Sequence, residues 1–261
     1  MEEKRMMQVT VDGKAYTYPQ GTPYRAIAAD FQDRYPHDIL LVNRGGKLCE
    51  LHKTLDRDCS LKMVTAQDKP GIQTYERGAV FLMLKAFYDV AGQENVERIS
   101  VEYSLSSALF ILARGNFTLD QALLDRVEAR MRELSAQALP IEKRSVSTDD
   151  AVELFLKARM VHKARLLSFR INSHVNIYSL DGFVDYFYGY MVPDTGYIRC
   201  FGLELFENGF VLRLPTQKNP DRLGDFLPSR KVFRELSEST LRSEALNASN
   251  VAELNTTISQ G

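Results

Sequence analysis

No hydrophobic run in the chain is longer than Ala79–Leu84, far short of the ~20 residues a helix needs to cross a bilayer. The opening Met-Glu-Glu-Lys-Arg-Met-Met has no apolar centre of the kind a secretory signal carries. Cysteine is scarce: Cys49, Cys59 and Cys200 are an odd number, widely spaced, with no Cys-x-x-Cys pair. This argues against a disulfide framework or a thiolate zinc site and fits a reducing compartment, so the chain is expected in the cytoplasm and not at a membrane. An excess of one charge is also missing. The 33 Lys and Arg residues meet 34 Asp and Glu residues, a net charge of −1, which excludes a broadly basic nucleic-acid-coating protein and leaves room only for a local groove.

The common catalytic signatures are absent as well. The sequence holds no Gly-x-x-x-x-Gly-Lys-Ser/Thr to cradle a triphosphate, no Gly-x-Gly-x-x-Gly, no Gly-x-Ser-x-Gly elbow and no His-Glu-x-x-His. Its four histidines, His37, His52, His162 and His174, are scattered and read as surface or turn residues rather than ligands. Asp149-Asp150 has the form of a carboxylate pair, but acids in the first turn of a helix suit its positive end and need no further explanation.

What the chain does contain is an α+β pattern. Met7, Val9 and Val11 alternate as a half-buried strand, Asp12-Gly13 reads as a tight hairpin turn, and Ala15–Tyr18 returns. Thr22-Pro23 opens a helix expected over Tyr24–Tyr35, with Thr22 as its cap. Short strands are expected at Ile39–Val42, Cys49–Leu51 and Leu61–Val64. The polar stretch Ala66–Gln73, with Pro70-Gly71, reads as a linker before a helix over Tyr75–Val90. Further on come strands at Ile99–Tyr103, Ala108–Ala113 and Ile141–Val146, a helix from Leu119 to Leu134 opened by a Thr118-x-x-Gln121 capping box, and a helix starting at Ser147. Asp181-Gly182 and Asn208-Gly209 mark turns in a β-rich stretch from Asn176 to Leu214, and helices are expected over Lys231–Leu246 and Val251–Ile258.

Two features carry candidate chemistry. Lys53, Arg57 and Lys62 lie close enough in sequence to touch a nucleic-acid backbone, although mixed with Asp56 and Asp58 they equally describe a solvated face. On a strand, Tyr186, Tyr188 and Tyr190 share one face and Phe187 takes the other. Such a row stacks a base or sugar, or packs against the helix that carries Tyr75.

Residues 6–65 resemble a TGS domain, a β-grasp, ubiquitin-like module of threonyl-tRNA synthetases and some GTPases. The matching text is Val9-Thr10-Val11-Asp12-Gly13-Lys14, Tyr18-x-x-Gly21-Thr22-Pro23, Leu41-Val42-Asn43 and Leu55-x-x-Asp58. Residues 70–215 resemble the second additional domain of those synthetases, which in many of them hydrolyses mischarged seryl-tRNA, and 216–261 would form a helical tail or linker toward a further C-terminal domain. The family's hydrolytic set is missing. Aligning its His-x-x-x-His helix here puts Tyr75 and Ala79 in the histidine places, and its Cys-x-x-x-His segment falls on Phe187 and Met191. Neutral imidazole and thiolate activate water or bind metal, and these four residues do neither. The resemblance therefore implies no catalytic, cofactor or metal residue in this chain, and a vestigial cleft bordered by Tyr75, Asp185, Tyr186, Tyr188, Tyr190 and Arg199.

A TGS domain with a degenerate synthetase-like domain also resembles the N-terminal region of uridine-kinase-like nucleoside kinases. The text Tyr190-Met191-Val192-Pro193-Asp194-Thr195-Gly196-Tyr197 and Gly209–Pro215 carries that likeness. It implies an accessory region whose partner is its own C-terminal kinase domain beyond Gly261, where ATP and Mg²⁺ would bind, and a nucleoside or nucleotide as a further ligand. The alternative is a tRNA-binding module or the N-terminal part of a divergent threonyl-tRNA synthetase.

Overall fold

The computed structural model describes residues 5–169, 172–228, 231, 233–235 and 238. It is a mixed α+β structure. The first strands form where the alternation predicts. β1 (Met6–Val11) and β2 (Lys14–Pro19) pair antiparallel across Asp12 and Gly13, whose φ values of 50° and 78° are those of a tight hairpin turn. Helix α1 (Tyr24–Ala29) follows, then β3 (Ile39–Arg44), β4 (Lys47–Glu50) and β5 (Cys59–Thr65). Together they make a five-stranded sheet of order β2-β1-β5-β3-β4, with β1 parallel to β5 and Tyr24, Ile27, Ala28 and Phe31 against one face.

Helix α1 is shorter than expected. It stops at Asp30, and the rest of the segment is a single 3-10 turn, Gln32–Arg34. The Gln32 amide explains the break, since it donates to the His37 carbonyl and accepts from Ile39 N–H, folding the chain back into β3. Pro23, not Thr22, is the capping residue, and the Thr22 hydroxyl donates to the Pro19 carbonyl instead.

The expected linker at 66–73 is mostly helix. α2 (Lys69–Ala91) begins six residues early, because Pro70 falls in its first turn, where a missing N–H costs nothing. This 23-residue helix is the hub of the larger core. β6 (Val96–Leu105), β7 (Ala108–Gly115), β11 (Gly202–Phe206) and β12 (Gly209–Arg213) form a four-stranded sheet of order β11-β12-β7-β6. Ile111 and Phe210 of that sheet and helix α3 (Gln121–Ala136) join α2 in the core. So does a three-stranded sheet, β10-β9-β8, built from β8 (Glu142–Ser147), β9 (His174–Leu180) and β10 (Phe183–Tyr186). A helical hairpin, α4 (Thr148–Lys157) and α5 (Val161–Ser168), connects β8 to β9. The hairpin β13 (Pro215–Thr216) and β14 (Asn219–Leu223) opens the tail, ahead of the helix expected from Lys231. Of the two tail helices, Lys231–Leu246 falls largely, and Val251–Ile258 wholly, outside the described residues.

Two local expectations shift. The α3 cap is Asp120, whose carboxylate accepts from Leu123 N–H at 2.8 Å; Thr118 is not the cap. The β11–β12 turn is Glu207-Asn208, with Glu207 at φ 51°, and Gly209 already pairs with Phe206 inside the ladder. Gly209 is needed there because a Cβ would lie 2.3 Å from the Ile111 carbonyl oxygen. Helix α4 begins where expected, and Ser147 caps it by accepting from Asp150 N–H.

Candidate functional site

The segment from Phe183 to Met191 does not present three tyrosines on one face. β10 ends at Tyr186, and Gly189, at φ 98°, turns the chain away from the strand. Tyr88 and Phe81 of α2 meet Phe183 at the start of this segment, and Phe81 and Arg77 meet its later part. The Phe81 ring lies 5.3 Å from Phe187, and Arg77 Nη1 donates to the Tyr190 carbonyl at 2.7 Å. A Cβ on Gly189 would sit 2.7 Å from the Arg77 guanidinium carbon. Arg77 and Phe81, an i, i+4 pair of α2, thus face the 187–190 stretch, while the Tyr75 hydroxyl turns to Cys200. Ala79 is fully buried in the core, and none of Tyr75, Ala79, Phe187 and Met191 carries an imidazole or a thiol.

A carboxylate from the first sheet closes this region. Glu50, at the end of β4, is 1% exposed. It accepts from Lys143 Nζ of β8 at 2.8 Å, from the Tyr178 hydroxyl of β9 at 3.1 Å and from Met191 N–H at 3.0 Å. Three donors satisfy the two carboxylate oxygens, which is the condition for burying such a charge. Burial and the neighbouring Glu50 charge push the Tyr178 phenol well above its ordinary value, so it stays a donor, with the Gly189 carbonyl as its other acceptor. Burial holds His52 below the usual imidazole range, against the opposing pull of Glu50, so it stands neutral beside the cluster at neutral pH. Together these groups tie the first sheet to the β8–β9–β10 sheet and to the chain at Met191.

The six residues expected to border one cleft fall into separate settings. Tyr75 and Arg199 line a cavity of about 310 Å³ together with His37, Asp38 and Asp221. The Tyr75 hydroxyl donates to the Cys200 carbonyl and accepts from Cys200 N–H, and burial raises its pKa far above the phenol value. Arg199 pairs with Asp38 at 2.6 Å, and nearby Arg25 pairs with Asp194 at 2.6 Å, so the guanidinium charges at this cleft are already matched. Asp185 instead is buried against Lys163 of α5. Tyr186 lies between Phe155 and Tyr188, with ring centroids 5.8 and 6.0 Å away. Tyr190 meets α2 through its carbonyl. Among the described residues no group of three His, Cys, Asp or Glu side chains is placed to hold a metal ion, and no helix is long and apolar enough to cross a membrane. Glu50, Arg77, Lys143, Lys163 and Tyr178 escaped the sequence reading.

His162, beside Lys163, is half-buried, and burial together with the Lys163 and Arg98 charges pushes its pKa down to about 4. The unfolded chain, near 6.5, then binds more protons than the folded one between pH 4 and 6.5, so stability should fall as pH drops through that window. Thermal melts of the wild type and His162→Gln from pH 7 to 4.5 check this. The variant should lose less stability than the wild type, and parallel curves would contradict the assignment.

No family model matches the chain. It is similar to curated proteins named threonine–tRNA ligase. With the protein of Thermotoga maritima it shares 27% identity over 212 residues, covering 80% of this chain and 32% of that protein. With that of Thermotoga neapolitana the figures are 27% over 215 residues, 81% and 32%. With that of Porphyromonas gingivalis they are 23% over 241 residues, 89% and 36%. The chain thus spans about a third of the length of these relatives. They support the synthetase-like resemblance and lend none to the kinase reading.

Proposed function

We propose that the chain is a tRNA-recognition region, comparable to the stretch of a threonine–tRNA ligase that it matches, in which the hydrolytic site has been filled and only binding remains. Residues 6–65 are read as a TGS-type β-grasp domain, which the strand order β2-β1-β5-β3-β4 supports. Residues 70–215 are read as a counterpart of the synthetases' second additional domain. The observation that carries the reading is the likeness over about four-fifths of the chain, joined to the Arg77 and Phe81 side chains packed against the 187–190 stretch, which we read as filling the hydrolytic place. No cofactor or metal is proposed. The relatives give no ground for carrying forward the accessory role beside a nucleoside kinase, with its ATP and Mg²⁺.

The test is fluorescence anisotropy of labelled tRNA titrated with the purified chain. The expected result is binding with a dissociation constant of about 10⁻⁴–10⁻⁶ M that weakens steeply with added salt. No binding at about 50 mM salt would overturn the reading.

A further inference from the structure

A chain with a net charge of −1 nevertheless carries one long stretch without an acid. Between Glu153 and Asp181 no Asp or Glu occurs, while Lys157, Arg159, Lys163, Arg165 and Arg170 do. Apart from Arg170, which lies outside the described residues, these cations belong to the α4–α5 hairpin. The fold sorts them. Lys163 is neutralised by buried Asp185, and His162 is uncharged at neutral pH, so neither adds charge to the surface. Arg159, held at φ 56° in the turn between the helices, and Arg165 are exposed, and among the described residues neither pairs with a carboxylate. Lys157 is 80% exposed and meets only the equally exposed Glu153, at 3.5 Å, a contact that water screens strongly.

The same surface is unusually apolar. Val161, Arg165 and Phe169 follow one another at i, i+4 and i+8 along the outer side of α5, with Val161 61% exposed, while Ala164 and Leu167 face inward. Leu156 of α4 is half-exposed. Tyr188, 63% exposed, adjoins the same hairpin through Tyr186 and Phe155. Guanidinium and ammonium groups interleaved with accessible rings match the alternating phosphates and bases of an unpaired RNA strand. A membrane surface fits less well. α5 has only eight residues and spends Ala164 and Leu167 on the core, which leaves too narrow an apolar face to embed.

We propose that the α4–α5 hairpin, with Tyr188 at its edge, is the surface that grips RNA, with Lys157, Arg159 and Arg165 on the phosphates and Tyr188 stacking an unpaired base. This rests on the tRNA reading above and adds the place of contact. Arg159 is left unaltered in the test because its positive φ penalises substitution for reasons unrelated to binding.

The experiment repeats the tRNA titration over a range of salt concentrations with four variants, each checked for native circular dichroism. Lys157→Glu/Arg165→Glu should bind at least about tenfold more weakly, with the slope of log affinity against log salt reduced by about two. Lys157→Ala/Arg165→Ala, milder for folding, should change both in the same direction. Tyr188→Ala should weaken binding about tenfold and leave the salt slope unchanged. Arg126→Glu/Lys218→Glu, exposed on α3 and in the β13–β14 turn, with the same charge change, should stay within about twofold of wild type. Wild-type binding that none of the hairpin variants alters would overturn this inference and leave the proposed function standing. An equal loss in the Arg126/Lys218 variant would overturn it by showing an effect of net charge alone. Absence of binding by the wild type would overturn both. Retention on phosphatidylserine vesicles that the hairpin variants abolish, with tRNA binding unchanged, would assign the surface to a membrane and overturn it.

Discussion

Replacing Glu50 with alanine should destabilise the protein by about 3–5 kcal/mol, the usual cost of stripping one partner from a buried ion pair. Glu50 is 1% exposed and serves Lys143, Tyr178 and Met191 N–H at once. Its loss leaves an ammonium that is only 19% exposed without a counter-charge, and strips an acceptor from a backbone N–H. For a chain of this length the melting temperature should drop by about 10 °C or more. Glu50→Gln keeps an oxygen for Met191 N–H and Tyr178 but not the charge facing Lys143, so about 1–3 kcal/mol is expected. Urea denaturation measures both. A Glu50/Lys143 double-mutant cycle should give a coupling above about 1 kcal/mol. A loss under about 1 kcal/mol for Glu50→Ala would mean that water reaches the carboxylate and that it does not tie the sheets together.

Gly71→Ala should cost about 3 kcal/mol, at the upper end for forcing an extra methyl into a closed space. Its Cβ would lie 1.9 Å from the Thr65 carbonyl oxygen and 2.6 Å from that carbonyl carbon. Both are backbone atoms at the end of β5, so no rotamer change relieves the contact. The sign makes the test decisive. Gly71 is in the first turn of α2, and helix propensity alone would have alanine stabilise the protein by up to about 1 kcal/mol. A stabilised Gly71→Ala variant would show that β5 and α2 are not held at this separation. Since α2 carries Arg77 and Phe81 to the 187–191 segment, the same junction positions the filled site relative to the first sheet.

The sequence displays the elements of this fold more clearly than their junctions. The alternation of Met7, Val9 and Val11 and the Asp12-Gly13 and Asp181-Gly182 turns are local signals, and the strands form around them. Pro70-Gly71 is read as a break for a physical reason that does not apply in a first helical turn, so the start of α2 was hidden. The repeating apolar positions of α2 reveal a helix, but they do not tell which i, i+4 pair faces a segment more than a hundred residues away. Packing against Phe187 and Tyr190 selects Arg77 and Phe81. Strand alternation likewise does not foretell that Gly189 will turn the Tyr186–Tyr190 stretch out of β10. Glu50 between Cys49 and Leu51 was the one visible oddity, an acid inside an apolar strand. Its partners lie 93 to 141 residues further on, beyond the reach of any local pattern.

The most direct test of binding without hydrolysis is retention of tRNA carrying labelled serine on a nitrocellulose filter by the purified chain, followed over time at low salt. A retained label means that the RNA is bound and its ester intact. The account predicts retention that decays no faster than the ester decays in buffer alone. Failure to retain the label would contradict tRNA recognition, and decay faster than in buffer would contradict the loss of the hydrolytic site.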